Sequence, residues 1–516
     1  MKKTIPILLA LLLLASCGKG SEGGFSPELG RSRSLTVVLP ATSEPAAGFD
    51  PAFGWGAGEH VHEPLLQSTL TVTNPDLTIG YDLATAMEVS GDGLTWTVKI
   101  RDDVKFTDGE PLTAQDVAFT YNTVKNTSSV NDFTMLDRAE AVDDTTVVFH
   151  MARPFSIWPY TMAVVGILPE HAYDPANYGS NPIGSGRYML KRWDRGQQAI
   201  LESNPDYYGP QPRIEQVSIL FMEEDAAFLA VQAGQADLAY TSAPYAGQAV
   251  DGFSLLSVRT VDNRGVNLPV TMSSPTMELP VRQAINMGID RQRMIDHVLN
   301  GHGTPAYSVC DGMPWYSPVN EVEYDLEGAK ALLDEWGWPA GPDGIRVRGA
   351  SGMKLSLTIY YIVGDSVRQG LAAELANQLR ELGIEADIKG VGWDTAYDDA
   401  LFNPLVWGWG AHTPMELYNI YHTDPELGTA RYSPYSCEMT DSLLDAALAC
   451  TDLEESYSLW RQAQEEIAGD VPWVWLVNVD HLYWVRDGLR VAEQKIHPHG
   501  HGWSIVNNVD QWEWGV

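Results

Sequence analysis

The segment from Val104 to Val117, VKFTDGEPLTAQDV, combines a turn with the start of a helix. Asp108-Gly109 is a turn dipeptide. Thr113 can cap a helix that begins at Ala114, and Asp116 places an acid in its first turn. The segment therefore predicts a turn followed by a helix.

Strand patterns lie on both sides of this segment. Thr95–Ile100 alternates with period two after the turn Asp92-Gly93, and Thr145–His150 is a second strand pattern. Helical patterns follow at residues 224–233, 280–289, 325–336, 367–382 and 441–448, and strand patterns include 35–39 and 384–388. Interleaved strands and helices predict an α/β protein. The chain is too long for one core and predicts two or three lobes.

Seven motifs, read in order along the chain, resemble one known family. They are Tyr81–Ala84, Asp92–Thr97, Val104–Val117, Asn181–Tyr188, Asn204–Gly209, Gln232–Asp237 and Val281–Arg291. Together they are similar to the family 5 extracellular solute-binding proteins, the peptide and nickel receptors of ABC importers. The resemblance covers the whole mature chain.

The resemblance implies a type II periplasmic-binding-protein fold, in which two lobes close on a ligand as in a Venus flytrap. It implies an extra subdomain on lobe I and a ligand cleft between the lobes. On this basis lobe I comprises residues 35–66, 182–276 and 481–516, the extra subdomain 67–181, and lobe II 277–480.

The first 17 residues are predicted to form an export signal. Lys2 and Lys3 precede the short apolar run Ile5–Leu14, which is below the roughly 20 residues needed to span a bilayer. The sequence LASC that ends at Cys17 resembles a bacterial lipobox, which implies lipidation of Cys17. The alternative is an ordinary signal peptide with a chance cysteine. Residues 18–34, rich in Gly and Ser, predict a flexible tether, so we expect a protein anchored by lipid on the extracytoplasmic face of the membrane.

Composition and motifs exclude several functions. The formal net charge is −35, with 68 acidic against 33 basic residues, so no basic stripe is available for nucleic acid. The sequence has no phosphate-binding loop, dinucleotide fingerprint, nucleophile elbow or His-Glu-x-x-His motif. It therefore predicts a binding protein rather than an enzyme.

Tryptophans and one histidine are the candidate ligand contacts. Peptide-binding relatives carry a Trp followed by a loop Asp whose carboxylate meets the ligand amine. The corresponding stretch contains Trp407 and Trp409, but His412 stands near the place of the Asp. An imidazole cannot replace a carboxylate in a bond with ammonium. We expect Trp55, Trp407, Trp409 and His412 to contact ligand, with the hydrophobic core as the alternative for the tryptophans.

Two histidine-rich runs suggest a metal as the transported ligand. They contain His60, His62, His497, His499 and His501. In an extended segment alternate side chains share a face, and neutral imidazoles bind nickel, zinc and copper. The alternative is that these are ordinary surface histidines. The sequence thus favours nickel or a nickel complex as ligand over a di- or oligopeptide, and it indicates no resident cofactor.

The function predicted from the sequence is that of a lipoprotein receptor. It would deliver a small solute to the permease and ATPase of an ABC importer. The alternatives from other classes are a non-transport sensor and a hydrolase built on the same fold.

Overall fold

The computed structural model of the protein describes residues 33–58, 61–128, 130–349, 352–399, 401–423, 434–500 and 502–515. The predicted signal peptide, Cys17 and nearly all of the tether lie outside these residues. Within them, no helix combines the length and the apolar character that crossing a bilayer requires.

The strands are numbered along the chain. They are β1 (Ser34–Pro40), β2 (Thr71–Thr73), β3 (Ile79–Tyr81), β4 (Ala84–Val89), β5 (Thr95–Ile100), β6 (Leu136–Asp143), β7 (Thr146–Met151), β8 (Tyr188–Asp194), β9 (Gln198–Ser203), β10 (Gln216–Met222), β11 (Leu238–Thr241), β12 (Phe253–Val258), β13 (Asn263–Asn267), β14 (Gly303–Pro305), β15 (Val347–Arg348), β16 (Met353–Lys354), β17 (Ser356–Ile362), β18 (Glu385–Val391), β19 (Val406–Trp409), β20 (Trp473–Val479), β21 (His481–Arg486), β22 (Leu489–Arg490) and β23 (Glu513–Trp514).

The helices are numbered in the same way. They are α1 (Ala114–Thr127), α2 (Trp158–Met162), α3 (Glu224–Gln232), α4 (Ala243–Ala246), α5 (Leu279–Met287), α6 (Arg291–Val298), α7 (Leu326–Glu335), α8 (Ser366–Glu381), α9 (Trp393–Asp399), α10 (Met415–Tyr421), α11 (Glu438–Ala449) and α12 (Leu453–Asp470). The α/β class predicted from the sequence is confirmed.

Lobe I is built on a seven-stranded mixed sheet in the order β12-β21-β11-β1-β10-β9-β8. Strand β1 runs parallel to both β10 and β11, and the outer pairs are antiparallel. Leu35, Val37 and Leu39 of β1 are almost fully buried and belong to the core of this lobe. The first and last parts of the chain therefore meet in one lobe.

The extra subdomain consists of the antiparallel sheet β4-β5-β7-β6 and helix α1. The segment Val104–Val117 contains a turn at Asp108-Gly109 and the first residues of α1. The Asp116 carboxylate accepts hydrogen bonds from the Thr113 backbone N–H at 2.9 Å and from the Glu170 N–H at 3.0 Å. The predicted cap is present, and it also ties α1 to the chain after β7.

Lobe II contains the antiparallel sheet β14-β20-β13-β19 and the parallel pair β17-β18, which α8 connects. Two links join it to lobe I: residues 259–262 between β12 and β13, and Asp480 between β20 and β21. Because β13 pairs with β19 and β20, residues 263–267 belong to the lobe II sheet. The expected boundary at 276/277 therefore lies after the first link, since the motifs used to place it do not report strand pairing.

Candidate functional site

A cavity of about 640 Å³ lies between the subdomain and lobe II. Trp55 and residues of the subdomain form one wall, and α8, α9, β19 and α10 supply the other. The polar side chains among its lining are Thr73, Asn131, Asp132, Tyr160, Thr161, Arg368, Tyr397, His412, Thr413, Glu416, Asn419 and His499. Its volume falls in the range of roughly 300–1,000 Å³ that is typical of small-molecule sites.

Aromatic rings form much of the cavity wall on lobe II. Trp407 and Trp409 alternate with Gly408 on β19 and so face the same side of the strand. Their ring centroids lie 5.5 Å apart, and Trp393 of α9 lies 6.2 Å from Trp407. Trp407 is buried, whereas Trp409 and Trp55 are half-buried. Trp393 is 45% exposed, so Trp55, Trp393 and Trp409 are the lining tryptophans with ring surface left for a ligand.

Two guanidinium groups meet beside β19, where Gly408 has no side chain. A Cβ atom on Gly408 would lie 2.8 Å from Arg264 Nη1 and 2.9 Å from Arg368 Nη2. Arg264 pairs with Asp262, and Arg368 pairs with Asp365. Each cation thus has a carboxylate partner, and this part of the wall carries balanced charge.

Glu416, in the first turn of α10, supplies a buried carboxyl group. Burial raises its pKa to about 8, although the Ala411 and Gly410 backbone N–H groups lower it in part. Oε1 accepts a long hydrogen bond of 3.4 Å from Gly410 N–H. Oε2 has no hydrogen-bond partner among the described residues. Buried oxygens without partners are rare in folded proteins, and such an atom beside a cavity is available to water, an ion or a ligand.

Asp132 supplies a second carboxyl group, on the subdomain wall. Its Oδ1 accepts a hydrogen bond from the Thr134 backbone N–H at 2.8 Å. Its Oδ2 is buried and has no partner in the part of the chain that the structure describes. Both walls of the cavity therefore present an acid with an unused acceptor atom.

His412 and His499 line this cavity, whereas His62 and His497, the other predicted histidines that the structure describes, do not. Burial, with the nearby Lys495, lowers the pKa of His412 to about 3, so its imidazole is neutral. The ring of His499 contacts Asp262 through Nδ1. Among the described residues, the neutral ring of His412 and the carboxylate-paired ring of His499 are the predicted imidazoles that line the cavity.

His62 and His497 are held by the protein itself. His62 Nδ1 lies 2.8 Å from the Trp55 carbonyl oxygen, and Nε2 lies 2.9 Å from that of Gln67. His497 Nδ1 lies 3.2 Å from His481 Nδ1. His60 and His501 fall outside the described residues. Across the described ranges no three His, Cys, Asp or Glu side chains are arranged to hold a metal ion, and the metal assignment stays a prediction.

The match to known proteins agrees with the two-lobed fold. The family model for bacterial extracellular solute-binding proteins, family 5 (middle), matches residues 78–426. The chain belongs to this family. Family 5 proteins are extracytoplasmic solute-binding proteins that work with the permease and ATPase components of ABC transporters. The resemblance predicted from the seven motifs is confirmed.

Individual relatives cover almost the whole chain. Protein XP55 of Streptomyces lividans is 31% identical over 90% of this chain and 87% of its own. The oligopeptide-binding protein AppA of Bacillus subtilis is 27% identical over 99% of this chain and 98% of its own. NikZ from Campylobacter jejuni, solved in complex with Ni(L-His), has a TM-score of 0.74 at 21% identity and covers 93% of this chain and 99% of that chain. Proteins similar to this chain thus include an oligopeptide-binding protein and one solved with Ni(L-His). The fold therefore does not specify the ligand, and the side chains of the cavity must do so.

Sequence reasoning missed several cavity residues. Glu416 lies three residues past Thr413, beyond the loop in which an amine-binding Asp was sought. Asp132 follows α1 in a stretch without a motif, and Trp393 and Tyr397 lie on a short helix that no pattern singled out. The i, i+4 spacing of Trp393 and Tyr397 was the one available signal, because it places both rings on one helix face.

Proposed function

We propose that this protein is the receptor of an ABC importer and that its ligand is a small solute with a free ammonium group, such as a short peptide. The observation that carries the proposal is the Glu416 carboxyl group beside the aromatic cavity. It compensates for the Asp that the loop lacks. The prediction of nickel ahead of peptides rested on that missing acid and on the two histidine-rich runs. Because Glu416 supplies an acid in the same cavity, we reverse the order.

The surroundings of Glu416 favour a cationic group. A carboxylate that accepts N–H bonds from ammonium makes a strong, charge-assisted contact. Trp409 and Trp55 can add cation–π attraction or stack on an apolar side chain. Arg368 is engaged by Asp365, so the cavity offers more to a positive group than to a negative one.

Calorimetry with a panel of di- to tetrapeptides tests the proposal. Peptides with a free amino terminus should bind, and the same peptides acetylated at that terminus should lose at least tenfold in affinity. Because the pKa of Glu416 is about 8 without ligand, its ionisation by the ammonium should release about one proton per bound peptide at pH 6.5. Repeating the titration in buffers of different ionisation enthalpy measures that proton.

Two variants control this experiment. Glu416→Gln keeps the shape of the side chain, and it should abolish both the proton release and the preference for free amines. Glu438→Gln, an exposed change at the start of α11, should behave as the unmodified protein does. Equal affinity for free and acetylated peptides would overturn the proposal.

A chelated metal ion is the second candidate ligand. The observation that favours it is the presence of neutral His412 and of His499 in the same cavity, where a chelate could bring its other donors with it. Titration of chelator-stripped protein with Ni²⁺, with and without free L-histidine, tests this candidate. This candidate would be supported if Ni²⁺ binding is lost in His412→Ala and kept in the exposed control His171→Ala.

We also propose that a lipid on Cys17 holds the receptor at the membrane. The lipobox-like LASC sequence supports this proposal. Cys17→Ser should move the protein from the membrane fraction to the soluble extracytoplasmic fraction, and unchanged fractionation would contradict it.

A further inference from the structure

The segment Phe155–Thr161 belongs to the subdomain and packs against lobe II. Ser156 donates two hydrogen bonds to the end of α11: its backbone N–H to the Leu448 carbonyl oxygen at 2.8 Å and its Oγ to the Ala447 carbonyl oxygen at 2.7 Å. The last four carbonyl groups of a helix have no partner within the helix. A residue almost 300 positions earlier in the chain satisfies two of them here.

Tyr160 makes a second polar contact between the same bodies. Its hydroxyl lies 2.6 Å from that of Tyr457 on α12, and both side chains are buried. The Tyr160 ring also packs edge-to-face on Trp315, with centroids 5.4 Å apart. Tyr160 therefore makes both a polar and an aromatic contact with lobe II.

The two sides of these contacts belong to separate bodies. Thr71 Oγ1 donates to the Pro159 carbonyl oxygen at 2.7 Å, and Ser68 Oγ donates to that of Ser185 at 3.1 Å, which ties the segment to the subdomain and lobe I. Gln464 of α12 donates to the Trp315 carbonyl oxygen at 2.7 Å within lobe II. Because two short links join the lobes, a hinge rotation would separate Ser156 from α11, and it would also open the buried cluster that the subdomain shares with lobe II.

The same segment lines the ligand cavity, to which Phe155, Ile157, Tyr160 and Thr161 contribute. We propose that Phe155–Thr161 is an inter-lobe latch, in which Ser156 and Tyr160 hold the subdomain against lobe II and keep the cavity closed. The latch stabilises the closed form whichever solute the cavity takes. The latch also couples ligand binding to closure. One side of the segment lines the cavity and the other side contacts lobe II, so a ligand in the cavity acts on the contacts with lobe II.

Hydrogen exchange of the purified full chain, without any ligand, tests the latch. The Ser156 amide should be protected, because its acceptor lies in lobe II. Loss of one hydrogen bond is worth about 1 kcal/mol, or about fivefold in an equilibrium constant. Ser156→Ala and Tyr160→Phe should therefore each accelerate exchange of the Ser156 amide about fivefold, read by mass spectrometry with fragmentation to single residues.

A double-mutant cycle separates the latch from general destabilisation. Tyr160→Phe and Tyr457→Phe both remove the hydrogen bond between the two hydroxyl groups, and Tyr160→Phe also removes a long 3.5 Å bond to the Leu77 carbonyl oxygen. The double variant should therefore exchange no faster than the faster single variant. Tyr121→Phe is the matched control: Tyr121 is buried in the subdomain, and its hydroxyl has no hydrogen-bond partner among the described residues. This variant should leave the Ser156 amide unchanged.

Three results would overturn the latch: an unprotected Ser156 amide in the unmodified protein, additive effects of the two tyrosine changes, or equal acceleration at amides inside the subdomain sheet. None of these depends on a ligand, so failure of the latch and failure of the proposed function are distinguishable.

Discussion

Glu416 has a carboxyl group that the unliganded fold holds in its neutral form. Burial raises its pKa from the ordinary value of 4.5 to about 8. Between these values the unfolded chain is ionised and the folded chain is not, so the contribution of Glu416 to stability decreases as pH rises from 4.5 to 8. A binding group kept at a cost in stability is common at functional sites.

Replacement of Glu416 by Gln should remove this pH dependence. At pH 8.5 the free energy of unfolding of the variant should exceed that of the unmodified protein by about 3–5 kcal/mol. Near pH 4.5 the two free energies should match. Calorimetric melting at both pH values, without ligand, measures the difference. The exposed control Glu438→Gln should melt as the unmodified protein does at each pH, and a Glu416→Gln variant less stable at pH 8.5 would contradict the assigned pKa.

The strand β19 separates two roles of tryptophan that the sequence left open. Trp407 is 3% exposed and belongs to the buried cluster shared by the subdomain and lobe II. Trp409 is half-buried, with Trp473 edge-to-face behind it at 5.2 Å. Trp407 and Trp409 face the same side of the strand, so the strand pattern does not distinguish them. Their different burial assigns Trp407 to the core and Trp409 to the cavity surface.

Alanine replacement should therefore give opposite results at the two positions. Trp407→Ala should lower the free energy of unfolding by about 3–5 kcal/mol, as expected for a large buried ring. Trp409→Ala should lower the free energy of unfolding by less than Trp407→Ala does. It should weaken the affinity for a peptide identified by the calorimetric panel at least tenfold. Thermal melting and titration of both variants provide the comparison. A stable Trp407→Ala protein with weakened binding would reverse the two roles.

At the scale of the whole molecule, Asp262 joins the two links between the lobes. It lies in the first link, is fully buried, and contacts Arg264, His481 and His499, of which His481 directly follows the second link. Burial alone would raise the pKa of Asp262, but Arg264 and His499 hold it well below its ordinary value. Its stabilising contribution is therefore present above the unfolded pKa near 4 and decreases as pH falls through the folded pKa.

Replacement of Asp262 by Asn should destabilise the protein by about 3–5 kcal/mol at pH 7, because it leaves the buried Arg264 without its carboxylate partner. The exposed Asp103→Asn, which breaks the surface pair with Arg101, should change stability by less than about 1 kcal/mol. Calorimetric melting of both variants at pH 7 is the measurement. Equal effects of the two substitutions would show that the link carboxylate has no special role.

The sequence predicted local structure well because local structure depends on nearby residues. The strand Thr95–Ile100 has the predicted bounds, and α1 begins at Ala114 with Asp116 in its cap. The helices predicted at 224–233 and 367–382 are observed as Glu224–Gln232 and Ser366–Glu381. Capping, turn dipeptides and apolar periodicity act within a few residues, so these features can be read without the fold.

The sequence by itself also determined the family, since seven motifs in order carry that information. It also singled out five residues that line the cavity: Trp55, Trp407, Trp409, His412 and His499. Only the tertiary structure decided which side chains line the cavity. Asp132, Glu416 and His499 come from separate parts of the chain and meet through the packing of the subdomain, α10 and the C-terminal segment. His62 has the same spacing motif as His499, yet backbone carbonyls contact both of its ring nitrogens. Burial and partners of a side chain depend on long-range packing, which residue spacing does not encode.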